Sequence, residues 1–153
     1  MTLIGRRDGR LFRLQAPSVE WRSIDAPITA LALSADESRA IVGGEGGEVA
    51  RFELSSGKAV PVRDAHRDAV RGAAIAPSGW WVTGSADGTI KFWSAEGTVL
   101  LTIRTGGPVR KLKLSENGRF LTVLVEGERG VRQWDLDLLQ AQLRELGLNW
   151  DTP

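Results

Sequence analysis

A register of about 41 residues constrains this chain more than any other feature. Gly43, Gly84 and Val125 stand 41 residues apart, as do Phe52, Trp93 and Trp134, and Leu14 lies 38 residues before Phe52. A chain that repeats itself at this period builds one supersecondary unit per copy and buries the face of each unit against the next. Four copies share the register, so the chain is read unit by unit.

The second full copy is the clearest, running DAHRDAVRGAAIAP and then SGWWVTGSADGTIKFWSAEGTVLLTIR. Short runs rich in β-branched and aromatic residues alternate with turn signals, which predicts strands over 70–76, 80–85, 89–93 and 98–104. Asp87-Gly88 between two such runs predicts a type I′ hairpin, because both residues tolerate positive φ. The first full copy predicts strands over 28–33, 39–43, 49–54 and 59–63. The third predicts 109–114, 120–125 and 131–134 with no fourth strand. At the other end, LIGRRDGRLFRL aligns with VTGSADGTIKFW, so the visible pattern starts inside a copy.

A four-stranded antiparallel unit of this length resembles the blade of the WD-repeat β-propeller family, and the resemblance spans residues 1–137. It implies an all-β fold, a partial propeller of about four blades, two complete and two partial, with a short C-terminal helix. The blades divide as 1–26, 27–66, 67–106 and 107–137, with 138–153 as helix and tail. Family blades are often locked by a His, a Ser or Thr, an Asp and a Trp, whose N–H groups find partners as the rings are buried. The resemblance assigns this structural tetrad to His66, Thr83 (or Ser85), Asp87 and Trp93. The other copies depart from it: Gly46 and Phe52 stand at the Asp and Trp positions of the first full copy, and Glu128 and Gly107 at the Asp and His positions of the third.

After the last copy the pattern changes to helical spacing. Leu139, Leu143 and Leu146 form one stripe, Asp137 is placed to cap the N-terminus with Gln140 three residues on, and Gly147 suits the closing left-handed position. The sequence predicts a helix over 138–146. Leu139, Leu143, Leu146, Leu148 and Trp150 are expected to cover an edge of the last blade. The run Leu146 to Asp151 resembles the C-terminal ends of bacterial multi-repeat WD proteins.

Composition narrows the chemistry. Twenty Lys and Arg against 19 Asp and Glu leave a net charge of +1, so no global field favours nucleic acid or an anionic membrane. The chain has no cysteine and a single histidine, which excludes disulfides, thiolate sites and histidine-rich metal sets, and no cofactor is expected. Arg104, Arg110, Lys111 and Lys113 lie close together but without interleaved aromatic residues, so nucleic acid is not the expected partner. No signal-peptide pattern or membrane-length apolar run is present, and the expected location is cytoplasmic.

An open arc of blades predicts two broad apolar end faces, and such surfaces mark association. The function read from the sequence is therefore a non-catalytic protein-interaction scaffold that completes its ring by self-association or with a partner chain. The alternatives are an enzyme or ligand-binding domain using the central channel, with Asp64, Asp68 and Asp87 as its carboxylates, or part of a larger bacterial signalling protein. The turns on one rim carry Arg6, Arg7, Arg67, Asp68, Arg71, Arg110 and Arg129, a candidate face for an acidic or phosphorylated protein segment.

Overall fold

The computed structural model describes residues 2–14 and 18–147. Fourteen strands and one helix are formed among them. The first sheet contains β1 (Leu3–Gly5), β2 (Arg10–Arg13) and β3 (Val19–Arg22), in that spatial order. The second contains β4 (Ile28–Leu33), β5 (Arg39–Gly44), β6 (Val49–Glu53) and β7 (Lys58–Val62). The third contains β8 (Val70–Ile75), β9 (Trp81–Ser85), β10 (Thr89–Trp93) and β11 (Val99–Arg104). The fourth contains β12 (Val109–Leu114), β13 (Phe120–Val125) and β14 (Val131–Asp135), followed by α1 (Leu136–Glu145). Every pairing is antiparallel between chain neighbours, so each sheet is a meander. The all-β fold with four sheets and a short terminal helix agrees with a partial WD-type propeller.

Alternation within each strand gives every inner sheet two apolar faces. Ala40, Val42, Ala50 and Phe52 of the second sheet pack towards the first, against Leu11 and Trp21, and the Trp21 and Phe52 rings meet edge-on at 5.3 Å. Ile41 and Val49, on its other face, pack with Val70, Trp81 and Trp93 of the third sheet. Val82, Ile90 and Phe92 then meet Leu121, Val123 and Val125 of the fourth. Trp81 and Trp93 stack in parallel at 4.8 Å with both residues 1% exposed. Burying rings of this size removes roughly 150–250 Å² each, about 4–6 kcal/mol of gross stabilisation per ring.

The innermost strands approach so closely that side-chain size is dictated there. A Cβ on Gly72 would lie 2.7 Å from the Leu112 Cβ, and one on Gly43 would lie 2.6 Å from Val70 Cγ1. Small residues at these positions set the distance between blades.

The structure departs from four expectations. Asp87 does not take positive φ; Gly88 alone does, at 77°, and its N–H reaches the Ser85 carbonyl at 3.2 Å. The turn is therefore type I closed by a left-handed glycine, not type I′.

The helix begins at Leu136, not Leu138, because Asp135 rather than Asp137 caps it, accepting from the Asp137 and Leu138 N–H groups. The division drawn between 137 and 138 thus falls inside the helix. Leu136, Leu139 and Leu143 pack on the core between the third and fourth sheets, whereas Leu146 is 73% exposed. Leu148, Trp150 and Asp151 lie outside the described residues.

The 41-residue spacing of Gly84 and Val125 is not structural equivalence. Val70 pairs with Ser85 and Val109 with Val125, so Val125 matches Ser85, and Leu124 matches Gly84. The connection from β13 to β14 is one residue longer than its counterpart from β9 to β10, since Leu124 pairs with Val131 where Gly84 pairs with Ile90.

The end faces are not broadly apolar. On the outward face of the fourth sheet, Lys111, Lys113, Thr122 and Gln133 occupy the positions of Gly72, Ala74, Val82 and Phe92 in the third. Gln133 hydrogen-bonds to Thr122, and the half-buried Phe120 and Leu124 with exposed Val131 are the apolar residues of the same face, which is mixed. Among the described residues, the outward face of the first sheet is apolar at Ile4, Phe12 and Leu14, with the Arg6 guanidinium 4.8 Å over the Phe12 ring and Arg10 paired to Glu20.

Candidate functional site

The third sheet concentrates its polar side chains where β10 meets the loop entering β8. Trp93 Nε1 donates to Thr83 Oγ1 at 2.9 Å, and the same oxygen lies 2.8 Å from His66 Nε2. His66 Nδ1 lies 2.9 Å from Thr89 Oγ1 and 3.4 Å from Asp87 Oδ2. The Thr89 hydroxyl donates to Asp87 Oδ1 at 2.6 Å. The structure thus brings together His66, Thr83, Asp87 and Trp93. Thr89 joins them, a fifth member that sequence reasoning missed although it directly follows Asp87-Gly88. Ser85 stands apart from this network, its hydroxyl donating to the Asp68 carbonyl and accepting from the Asp87 N–H.

The direction of the chain of bonds follows from its ends. Thr89 spends its proton on Asp87, so its oxygen accepts from His66 Nδ1, which must carry the ring proton. Nε2 is then the acceptor of the Thr83 hydroxyl, whose oxygen takes the indole N–H. Every bond points from Trp93 towards Asp87, and the imidazole is neutral.

Electrostatics agree. Burial is the largest influence on His66 and lowers its pKa to about 4, against the opposing pull of the Asp87 carboxylate. For Asp87, burial works to raise the pKa, but hydrogen bonds from the Thr89 hydroxyl and the Arg67 and Thr89 N–H groups hold it below the ordinary value. A neutral ring beside a retained carboxylate is suited to holding a loop in place. It is poorly suited to proton transfer near neutral pH, where the ring stays unprotonated.

The loop is also fixed from the second sheet. The His66 N–H donates to the Gly47 carbonyl at 3.2 Å, and Gly47 sits at φ 96° with no room for a side chain, since a Cβ would lie 2.5 Å from the His66 carbonyl oxygen. The same backbone contact recurs at Ser23 with Gly9 and at Thr105 with Gly88, so it joins successive sheets whether or not a side-chain lock is present. In the fourth sheet Val123 stands at the Thr83 position, and Arg132 pairs with Glu128 across the turn.

The candidate partner-face residues all lie at the end of the sheets where the turns from second to third strand meet the loops entering each blade. Their environments differ. Arg6 covers Phe12, Asp68 accepts from the Ala69 N–H, and Arg110 is paired with Glu126 at 3.1 Å. The Arg67 backbone N–H is held by Asp87 while its side chain is exposed, as are those of Arg7, Arg71 and Arg129. Asp64, Asp68 and Asp87 do not form a metal centre: among the described residues no group of three or more His, Cys, Asp or Glu side chains is placed to hold an ion. No helix among them is long and apolar enough to cross a membrane.

No curated protein matches the chain at a significant level. Residues 57–94, which contain all four tetrad positions, match the family model for the WD domain, G-beta repeat, so the sequence carries one stretch similar to a WD repeat where the polar network stands.

Proposed function

We propose that the chain is a non-catalytic protein-interaction scaffold in which the blades present turns to a protein partner and the arc is completed by another polypeptide. The observation that carries this reading is the WD-repeat match at residues 57–94, standing among sheets that pack face to face and end in two three-stranded members. Family blades of this type act as interaction surfaces, and the polar network of the third sheet is a device for holding such a surface rigid. The tetrad role of His66, Thr83, Asp87 and Trp93 belongs to this proposal, as do the candidate face and a cytoplasmic setting.

Charge favours a partner chain over a second copy. Head-to-tail closure of two copies would bring Lys111 and Lys113 on one end face towards Arg6 and Arg7 at the other, and like charges across an interface are costly. The first-sheet end, with Ile4 and Leu14 exposed and Arg10 and Arg22 paired to Glu20 and Asp25, is the surface better suited to receive a neighbouring blade. Mass measured in solution over a dilution series tests this: a single-chain mass throughout is expected, and a stable closed dimer would overturn the choice of a partner chain.

A further inference from the structure

The outer half of the third sheet carries a cleft that is walled on one side by the lock residues His66, Asp87 and Thr89 and on the other by cations the lock does not engage. The β10–β11 register places Thr89 beside Arg104 and Lys91 beside Thr102, so two cations and two hydroxyls form a block on the face towards the second sheet. The inner half of that face is sealed by the Trp81–Trp93 stack. The outer half is left open because β7 ends at Val62 and the chain turns away at Asp64, a non-glycine residue at φ 50°. The resulting cleft of about 510 Å³ is lined by Asp64, His66, Arg67, Asp87 and the four residues of the block.

Donors exceed acceptors there. The guanidinium groups of Arg67 and Arg104 have no hydrogen-bond or ion-pair partner among the described residues. Lys91 gives one of its three N–H bonds to the Asp64 carbonyl, at 3.0 Å. Asp87 is occupied by Thr89 and the Arg67 N–H, which leaves Asp64 as the one carboxylate of the lining without a hydrogen-bond partner among the described residues. Exposed, unpaired guanidiniums beside the Lys91 ammonium and the Thr102 hydroxyl match the oxygens of a carboxylate or phosphate.

We propose that this cleft binds an extended peptide segment through an anionic side chain, carboxylate or phosphate, held between Arg67 and Arg104 with Lys91 and Thr102 beside it. The inference rests on the scaffold reading and gives it a recognition chemistry. The cleft's size suits one side chain and its flanking backbone.

The test uses a fluorescein-labelled hexapeptide with one phosphoserine between glutamates, its unphosphorylated form, and a form with glutamine at every acidic position. Anisotropy is recorded with the full chain and with Arg67→Glu, Arg104→Gln and Arg22→Glu. Arg22 is on the first sheet, paired with Asp25. Saturable binding is expected, weakened about tenfold or more by Arg67→Glu and by Arg104→Gln but not by Arg22→Glu. Preference for the phosphorylated peptide assigns phosphate, and equal binding of both acidic peptides assigns carboxylate; each supports the cleft. Absent saturation, equal loss in Arg22→Glu, equal binding of the glutamine peptide, or displacement by single-stranded RNA at lower concentration than by inorganic phosphate would overturn it. Solution mass is read separately, so a failed cleft is distinguishable from a failed scaffold.

Discussion

Replacing Thr83 by valine isolates the centre of the polar network. Valine has nearly the same shape but lacks the oxygen that accepts the Trp93 indole N–H and donates to His66 Nε2. Thr83 is 0% and Trp93 1% exposed, so water cannot take over either bond without opening the blade. One buried donor and one buried acceptor left unsatisfied cost about 1–3 kcal/mol each, and the added methyl returns roughly 1 kcal/mol. The net loss expected is about 1–5 kcal/mol, a large share of the roughly 5–15 kcal/mol that holds a typical domain. Thr83→Ser keeps the hydroxyl and gives up only a methyl, so it is expected to lose less. Urea titration followed by tryptophan fluorescence measures both. If Thr83→Val loses less than Thr83→Ser, or less than about 1 kcal/mol, Thr83 is not the centre of the lock and the bond directions derived from it fail.

Two further outcomes follow from the same geometry. His66 stays neutral in the fold down to about pH 4, whereas an unfolded histidine takes up a proton near pH 6.5, so stability is expected to fall as pH drops between those values, by up to about 3 kcal/mol. Urea midpoints over that range check this, and a His66→Gln variant with an unchanged slope would refute it; Asp87, its pKa lowered, adds its own loss only at still lower pH. Asp135→Ala removes the helix cap and the Arg119 ion pair, and is expected to cost about 1 kcal/mol and part of the helical circular dichroism signal, with Asp135→Asn retaining most of both.

Much of the fold was legible in the sequence because strands and turns announce themselves locally. The strands of the two full copies form within a residue or two of where alternation places them, and the Trp spacing marks equivalent positions on β10 and β14. What failed depended on pairing. The longer connections before β13 and β14 cannot be seen by counting from one Trp to the next, since a shortening before β12 compensates them; only the ladder reveals that Val125 matches Ser85. Asp135 lay one residue past the strand predicted over 131–134 and two before the predicted cap, yet it ends β14 and caps the helix at once. Thr89 carried no signal of its own, because a threonine after Asp-Gly is ordinary strand chemistry until a histidine ring from another loop is placed against it. The apolar end faces were inferred from the fold class, and in the fourth sheet Lys111, Lys113, Thr122 and Gln133 break up a face that Phe120, Leu124 and Val131 share.

Units that repeat with identical front and back faces have no intrinsic stopping point: the interface that joins two of them joins the next, and unless rotation closes the series, a fibre results. Gly72 is the residue that lets the fourth sheet seat itself on the third, and the residue in its place on the fourth sheet is Lys111. A lysine there denies a second copy the close seat that Gly72 gives Leu112, so a chain that completes the arc meets this end across a wider gap or through a carboxylate of its own.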